Sequence, residues 1–315
     1  MKSQGAVEDQ KRQLEFGVPS SALPLSLGRA LNFVDRLYLF WFTGLGVLIG
    51  IFHHRLDNWQ NYLLLHVLCV WVVLLLASAA EQSRVAKFLH DWYSLALFIV
   101  AFEETSRLSF LIVDGWRDAY ILRFEELLFS TPPTVWLNQF ASPVVTEVLE
   151  IGYFSYFLLL MIVGGTVYNR PGKREFRQVM TASVLAYLSC YLFFILFPTE
   201  GPAHTQAHLH TVELRGGPFH WAVLLIQRNA GVHGNAFPSS HVAAGVVALI
   251  FAWKYERRLG AWLTPLVVLL CISAVYDRYH YASDVIAGAG IGVLCSIVIM
   301  TPERLPAIVA RAERR

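Results

Sequence analysis

Long apolar runs recur along this sequence and restrict the folds that it can adopt. A helix that crosses a bilayer needs roughly 20 mostly apolar residues. Eight stretches reach or approach that length: 37–53, 61–80, 88–104, 145–167, 178–197, 239–253, 261–277 and 284–300. Lipid cannot form hydrogen bonds with unpaired backbone N–H and C=O groups, and the sequence lacks the alternation of apolar and polar residues that a membrane β-barrel shows. These stretches are therefore predicted to be helices. The sequence predicts an all-α integral membrane protein with about eight transmembrane helices.

Composition agrees with a membrane class and excludes other classes. Only 15% of residues are charged and the mean hydropathy is +0.48, whereas a soluble domain averages about 25% charged residues. A net charge of +2 without a dense basic tract gives no reason to expect a nucleic-acid partner. The four cysteines lie in apolar runs without CxxC spacing, so we expect apolar packing rather than disulfides or metal ligation: Cys69, Cys190, Cys271 and Cys295.

The distribution of positive charge predicts the orientation. With a cytoplasmic N-terminus, the inner segments are 1–36, 81–87, 168–177, 254–260 and the C-terminal tail, and they hold 18 of the 25 lysines and arginines. This asymmetry obeys the positive-inside rule, so both termini are predicted to lie inside. About the first 30 residues lack the apolar region of a signal peptide. We expect that segment to be retained and the first helix to target the chain.

Two external connections are long. Residues 105–144 carry apolar side chains at one-face helical spacing with charges opposite: Trp116, Tyr120, Phe124, Leu127 and Leu128. Such a helix can lie in the membrane interface as a lid over a lipid-facing site, or it can be an ordinary packed external helix. The sequence leaves both alternatives open. The second connection, 198–238, is rich in histidine and glycine and contains an apolar piece at 219–226.

Residues 238–241, Pro-Ser-Ser-His, open the sixth predicted span. Proline favours the first turn of a helix, and a helix N-terminus presents free N–H groups and a positive dipole. Ser239 and Ser240 add hydroxyl donors at the same place, and phosphate is a natural ligand for such a site. His241 would stand over that phosphate, where it can protonate a leaving oxygen.

A second histidine motif, His-Tyr-Ala-Ser-Asp at residues 280–284, follows the seventh span. His280 and Asp284 share one face if this stretch is helical. A carboxylate bonded to one ring nitrogen fixes the tautomer and leaves the other nitrogen free to attack. A lone histidine near a membrane interface is usually an amphipathic anchor. Here the predicted topology puts both motifs on the same side, which favours a phosphoryl-transfer site.

Together the two motifs resemble the type 2 phosphatidic acid phosphatase superfamily, which includes lipid phosphotransferases and vanadium haloperoxidases. The resemblance covers roughly residues 145–300 and implies a C-terminal phosphatidic-acid-phosphatase-type helical bundle. It also implies that His280 attacks phosphorus, that Asp284 supports it and that His241 handles the leaving group. The family needs no metal or other cofactor, and this sequence has no Asp/Glu-rich cluster that would demand a metal.

The third motif departs from the family pattern. It usually starts Ser-Arg, with five residues between that arginine and the histidine, whereas this chain has Ser273-Ala274. Arg278 is one helical turn from position 274, so we expect it to reach the same phosphate from the same face. The alternative, a helix-end residue that points to water, stays open.

The first motif, a lysine followed by Arg-Pro, is absent from the external end of the fifth span. Residues 197–204 instead read Phe-Pro-Thr-Glu-Gly-Pro-Ala-His, which resembles the Pro-rich version in the inositolphosphotransferase branch. His204 comes close to the arginine slot of that version, and Arg228 in the same external loop is a candidate substitute. The Arg-Pro pair at 170–171 lies on the predicted inner side, so we exclude it from the site.

The resemblance implies a metal-independent membrane lipid phosphatase that acts on phosphatidate, polyprenyl diphosphate or a related lipid phosphate through a phosphohistidine. With a lipid or polyol hydroxyl as acceptor instead of water, the same residues would make a head-group phosphotransferase, like an inositolphosphotransferase or a sphingolipid synthase. A non-catalytic lipid-binding membrane protein is a third reading, supported by the missing first-motif lysine and the moved arginine.

The expected organisation follows from these motifs. We expect a cytoplasmic segment at 1–36, N-terminal transmembrane helices with an external interfacial segment at 37–144, a catalytic membrane domain at 145–301 and a cytoplasmic tail at 302–315. The active site is expected on the external face, periplasmic or luminal, with a bacterial inner membrane as the favoured location. The expected partners are the bilayer and a lipid phosphate, while head group, tails and oligomeric state stay open.

Overall fold

A computed structural model of the chain describes residues 31–301, and every regular element within that range is a helix. The helices are α1 Phe33–Ile51, α2 Trp59–Ala79, α3 Arg84–Trp92, α4 Ser94–Arg107, α5 Asp118–Leu128, α6 Pro133–Leu137, α7 Pro143–Asn169, α8 Lys173–Leu196, α9 Pro202–Thr205, α10 Pro218–Ala230, α11 Ser240–Tyr255, α12 Arg257–Tyr276 and α13 Ala282–Met300. The expected cytoplasmic tail at 302–315 and most of the expected N-terminal segment lie outside the described residues.

The predicted all-helical membrane fold is confirmed. Seven helical stretches are long and apolar enough to cross a membrane: α1, α2, α3 with α4 as one stretch, α7, α8, α12 and α13. The sixth predicted span is the shorter apolar helix α11. Its 16 residues measure about 24 Å at 1.5 Å per residue, less than the roughly 30 Å of a bilayer's hydrocarbon core. The chain is a multi-pass membrane protein, and its orientation stays a prediction.

Side-chain caps determine where several helices begin. Asn32 and Asp35 form a reciprocal capping box at the start of α1, with Oδ–N distances of 3.0 and 2.7 Å. Ser142 caps α7 and Ser239 caps α11, each by accepting a hydrogen bond from the N–H group three residues later. These caps satisfy backbone donors that have no partner inside the helix.

Helix α8 is the centre of the bundle. It packs against α1, α4, α7, α11 and α13, and 72% of its membrane-spanning window is buried. Helix α12 runs along α7, where a Cβ added at Gly152 would lie 2.3 Å from the Cβ of Leu269. Small residues allow such close approach between membrane helices. All four cysteines are free thiols, in agreement with the expected apolar role.

Two buried polar clusters join the N-terminal helices to one another. His66 of α2 lies 2.7 Å from Glu104 of α4. The Asp35 carboxylate of α1 lies 3.0 Å from the His90 ring and accepts a hydrogen bond from Tyr93 at 2.6 Å. Ionisable groups inside a bundle need such partners because an isolated buried charge is costly. The first pair therefore links α2 to α4, and the second cluster links α1 to the end of α3.

Helix α5 packs with its polar face inward. Asp118 and Glu125 are buried, whereas Tyr120, Phe124 and Leu127 are 60%, 51% and 85% exposed. The helix is thus packed on the protein, as one sequence alternative stated, and it also presents an apolar face outward, as an interfacial helix does. The predicted apolar piece at 219–226 lies in α10, which packs on α7.

Candidate active site

His280 lies in the short loop between α12 and α13, and its side chain is only 5% exposed. Its Nδ1 atom is 2.8 Å from the carbonyl oxygen of Ala236 and 3.5 Å from Oδ2 of Asp284. A carbonyl oxygen only accepts hydrogen bonds, so Nδ1 carries the proton and Nε2 keeps its lone pair. The sequence analysis named Asp284 as the partner of this ring, but the nearer acceptor is Ala236. The Asp284 carboxylate also accepts the N–H of Tyr281 at 2.8 Å.

His241 is the second residue of α11, and its ring centroid lies 5.8 Å from that of His280. Aromatic rings surround it, with Tyr156 at 4.4 Å, Tyr153 at 5.6 Å and Phe102 at 6.2 Å between centroids. Within the described residues, its Nδ1 atom is buried and has no hydrogen-bond partner. The fold thus brings together the two predicted histidines, and it leaves one nitrogen of His241 available.

Ser239 and Ser240 are buried and lie outside the cavity lining. The Ser239 hydroxyl caps α11, and its N–H donates to the carbonyl of Asp284 at 3.0 Å. These contacts tie the start of α11 to the start of α13. The structure therefore gives Ser239 a capping role, whereas the sequence analysis expected both hydroxyls to donate to phosphate.

Arg278 lines the cavity beside the two histidines. Its Nη2 donates to the carbonyl of Val212 at 2.5 Å and to Oδ1 of Asn138 at 3.1 Å, and its Nε is buried without a partner within residues 31–301. The residue has a positive φ of 66°, which turns the chain sharply out of α12. This position agrees with the phosphate alternative for Arg278 better than with the alternative of a side chain in water.

The two substitutes proposed for the first motif lie in different places. His204 lines the cavity, as does Glu200 in the same loop. Arg228 is exposed on α10 and outside the lining, so the structure does not bring it to the histidines. Arg170 forms an ion pair with Glu256 at 3.1 Å, just past the end of α11 opposite to His241. This position agrees with the exclusion of the Arg-Pro pair at 170–171 from the site.

The histidines border a cavity of about 560 Å³, a size common for small-molecule sites. Its polar end also contains Asn235 and Gln227, while apolar and aromatic side chains of α4, α7 and α8 line the rest. Helices α4 and α7 both pack against α8 but make few contacts with each other. The cavity therefore runs from the histidine pair towards a cleft between two membrane helices.

A family model described as the PAP2 superfamily matches residues 119–298, more than half of the chain. The chain belongs to the PAP2 superfamily. This confirms the resemblance drawn from the two histidine motifs. The matched range extends from α5 to α13, so it includes His241, Arg278, His280 and Asp284, while the side chains of α4 that line the cavity precede it.

Among curated proteins, this PAP2 chain is similar to a PA-phosphatase related-family protein of Dictyostelium discoideum, with 23% identity over 180 residues. The aligned region is 50% of this chain and 32% of the relative, so the chain spans about a third of the length of that relative. No solved structure matches the chain. Family membership supports a phosphatase-type function.

Two acidic residues of α5 support the PAP2 site through hydrogen bonds and were not predicted from the sequence. Asp118 accepts hydrogen bonds from the N–H groups of Glu200 and Gly201 at 2.8 and 2.9 Å. Glu125 accepts from the N–H and hydroxyl of Ser283 at 2.9 and 3.2 Å, and thereby caps α13. Burial raises the pKa of Glu125, while the bonds from Ser283 oppose that shift. The available signal was the pair of acids opposite the apolar face of α5.

Proposed function

We propose that this PAP2 protein hydrolyses phosphate esters of lipids through a phosphohistidine intermediate. The observation that carries the proposal is the orientation of His280. The Ala236 carbonyl accepts a hydrogen bond from Nδ1–H, with 2.8 Å between nitrogen and oxygen, so Nε2 of the neutral ring is left as a nucleophile. The ring of His241 lies 5.8 Å away across the same cavity, a separation that leaves room for a reacting phosphate.

In the first step, Nε2 of His280 attacks phosphorus. A P–N bond forms while the P–O bond to the lipid alkoxide breaks, and His241, which enters this step as an imidazolium, gives a proton to the departing oxygen and becomes a neutral imidazole. In the second step, a water molecule gives a proton to His241 and attacks the phosphohistidine. The P–N bond breaks, inorganic phosphate leaves, and both histidines return to their starting states.

Charge on the transferred phosphate is stabilised by groups that border the cavity. Arg278 lines it, and its Nη2 is already bonded to Val212 and Asn138, which fixes the guanidinium in place. Positioned donors of this kind supply much of the catalysis in phosphoryl transfer. The Asp284 carboxylate, 3.5 Å from Nδ1 of His280, stabilises the positive charge that appears when that ring is phosphorylated.

The apolar walls of the cavity support a lipid substrate. Phe98, Phe157 and Met161 line it where α4 and α7 face each other. A head group at the histidines would leave acyl or prenyl tails along these side chains. Phosphatidate and polyprenyl diphosphates are the substrate class that fits, since each joins a phosphate to a long apolar chain.

The test is phosphate release from phosphatidate by the detergent-purified protein in EDTA. His280→Ala is expected to lose activity to background, whereas His208→Ala, which changes an exposed histidine outside the cavity, keeps it. Acid-labile labelling by ³²P-phosphatidate that depends on His280 supports the intermediate. Retained turnover in pure His280→Ala would contradict the mechanism.

The same assay separates hydrolysis from the other two functions. Inorganic phosphate that accounts for all consumed substrate identifies a phosphatase. A new phospholipid, formed only when a diacylglycerol-type acceptor is added, identifies a head-group phosphotransferase. Lipid binding without turnover, unchanged in a His241→Ala, His280→Ala double variant, identifies a non-catalytic lipid-binding protein.

A further inference from the structure

Three metal-ligating side chains converge where two loops border the cavity. Glu200, His204 and His233 each offer one ligand atom, and the three atoms lie within 4.8 Å of one another. Ligand atoms around tetrahedral Zn²⁺ are roughly 3.3 Å apart when bonds to nitrogen or oxygen are about 2.0 Å long. Glu200 and His204 line the cavity, and both chain neighbours of His233 line it as well.

The loops that carry these side chains are held by specific contacts. The Asp118 carboxylate accepts the N–H groups of Glu200 and Gly201, at 2.8 and 2.9 Å. The His233 ring stacks on Trp116 at 5.3 Å between centroids. Trp116 in turn packs so closely on Gly234 that an added Cβ there would lie 2.8 Å from the indole. Only small side-chain movements are therefore needed to close the three atoms around an ion.

The two histidines have unused coordinating capacity. Nε2 of His233 lies 2.8 Å from Oε1 of Glu200, and the His204 ring stacks on the His233 ring at 4.6 Å. The His204 ring forms no hydrogen bond within residues 31–301. The ring nitrogens of His204 are therefore open to a metal ion, and the carboxylate of Glu200 already lies beside the His233 ring.

We propose that Glu200, His204 and His233 bind a divalent transition-metal ion, with Zn²⁺ as the best match. Two imidazoles and one carboxylate suit Zn²⁺, whereas Mg²⁺ and Ca²⁺ prefer oxygen ligands throughout. Three protein ligands leave a fourth position open, which a water molecule or an anionic oxygen can take. This site is separate from the histidines of the proposed phosphoryl transfer.

A functional role for this ion rests on the proposed function. The loop at 197–204 has no lysine or arginine, although the first motif of the family normally supplies both. A metal ion held by this loop would add positive charge at the cavity and offer its open position to a phosphate oxygen. The metal would then add to the positive charge of Arg278 and raise turnover above the level that the protein shows in EDTA.

Binding is tested with Zn²⁺ alone, in the absence of lipid. The protein is purified with a non-histidine affinity tag, stripped with EDTA, desalted and titrated with Zn²⁺ by calorimetry. Wild type is expected to bind one ion, and His204→Ala, His233→Ala and Glu200→Gln each weaken binding by about 10- to 100-fold. His208→Ala, the matched exposed histidine, leaves the affinity unchanged. Melting temperatures of all variants check that each one is folded.

Replacement by Co²⁺ gives a second measurement on the wild type. Intense visible absorption, as four-coordinate Co²⁺ gives, supports the site, and the weak absorption of six-coordinate Co²⁺ overturns it. The proposal is also overturned if the wild type binds no Zn²⁺, or if His208→Ala loses as much Zn²⁺ affinity as the ligand variants do. Phosphate release in EDTA tests the proposed function separately, so each proposal can fail while the other holds.

Discussion

At the scale of single residues, His280 has two partners that act differently on the same nitrogen. The Ala236 carbonyl at 2.8 Å holds the tautomer, while the Asp284 carboxylate at 3.5 Å supplies negative charge. In Asp284→Asn, the amide oxygen can still accept the N–H of Tyr281, so the fold is kept. We expect phosphate release to fall by about 100-fold, and to background in His280→Ala. Equal losses in the two variants would mean that the carbonyl alone cannot orient the ring.

Asp277 makes stability depend on pH. Burial, followed by the charge of Glu150, raises its pKa well above the ordinary value of 3.8, although Ser273 donates a hydrogen bond to it. The folded protein then holds this proton more tightly than the unfolded chain does. That stabilisation is complete below the ordinary pKa and is lost as pH rises through the raised pKa.

Asp277→Asn keeps an acceptor for Ser273 and has no charge to bury. As pH rises above about 4, its melting temperature is therefore expected to fall less than that of wild type. Melting in detergent across this range gives the comparison. Parallel curves for the two proteins would contradict the assignment of the pH dependence to Asp277.

At the scale of helices, the contact between α11 and α13 positions His241. A Cβ added at Gly288 would lie 2.3 Å from the carbonyl oxygen of Ser239, whereas nothing lies within 4 Å of one added at Gly290. Gly288→Ala is expected to destabilise the protein by about 1–3 kcal/mol through overpacking and to reduce turnover by displacing the start of α11. Gly290→Ala is the matched control. Thermal melting and phosphate release measure both effects, and similar behaviour of the two variants would contradict this packing.

The start of α13 depends on a cap from another helix. Glu125 accepts two hydrogen bonds from Ser283, at 2.9 and 3.2 Å, and adjoining Glu126 is exposed. Loss of a cap costs about 0.5–2 kcal/mol, so Glu125→Ala is expected to lower the melting temperature while Glu126→Ala does not. Glu125→Gln keeps an acceptor and is expected to restore most of the loss. Equal melting temperatures for both alanine variants would argue against a capping role.

At the scale of the whole molecule, the cavity joins the histidines to the cleft between α4 and α7. Met161 lines it, while the neighbouring Ile162 is similarly exposed, 42% against 46%, and lies outside the lining. Met161→Trp is expected to lower kcat/KM for long-chain phosphatidate by about 10-fold and to spare a short-chain phosphatidate. Ile162→Trp is the control of equal bulk. Kinetics with both substrates decide the matter, and an equal effect on both chain lengths would contradict tail binding at this wall.

The sequence predicts most helices of this bundle well because span length is a local property. Each helix that crosses the bilayer needs an apolar run of the required length, because its side chains face lipid or neighbouring helices. The start of helix α11 was also predicted, since Pro-Ser-Ser-His is a local signal, but the helix is shorter than the predicted span requires. The break between α3 and α4 was not predicted, because residues 88–104 have the overall hydropathy of a span although His90 and Asp91 lie beside the break.

The all-helical membrane fold, the family and the two histidine motifs follow from the sequence alone, because each depends on neighbouring residues or fixed spacing. The groups that contact these motifs are known only from the three-dimensional structure. Ala236 reaches His280 across 44 residues, the Ser239 hydroxyl turns to its own helix, and Glu125 caps α13 from α5. Such contacts depend on how helices cross and how loops fold back, and no periodicity along the chain records them.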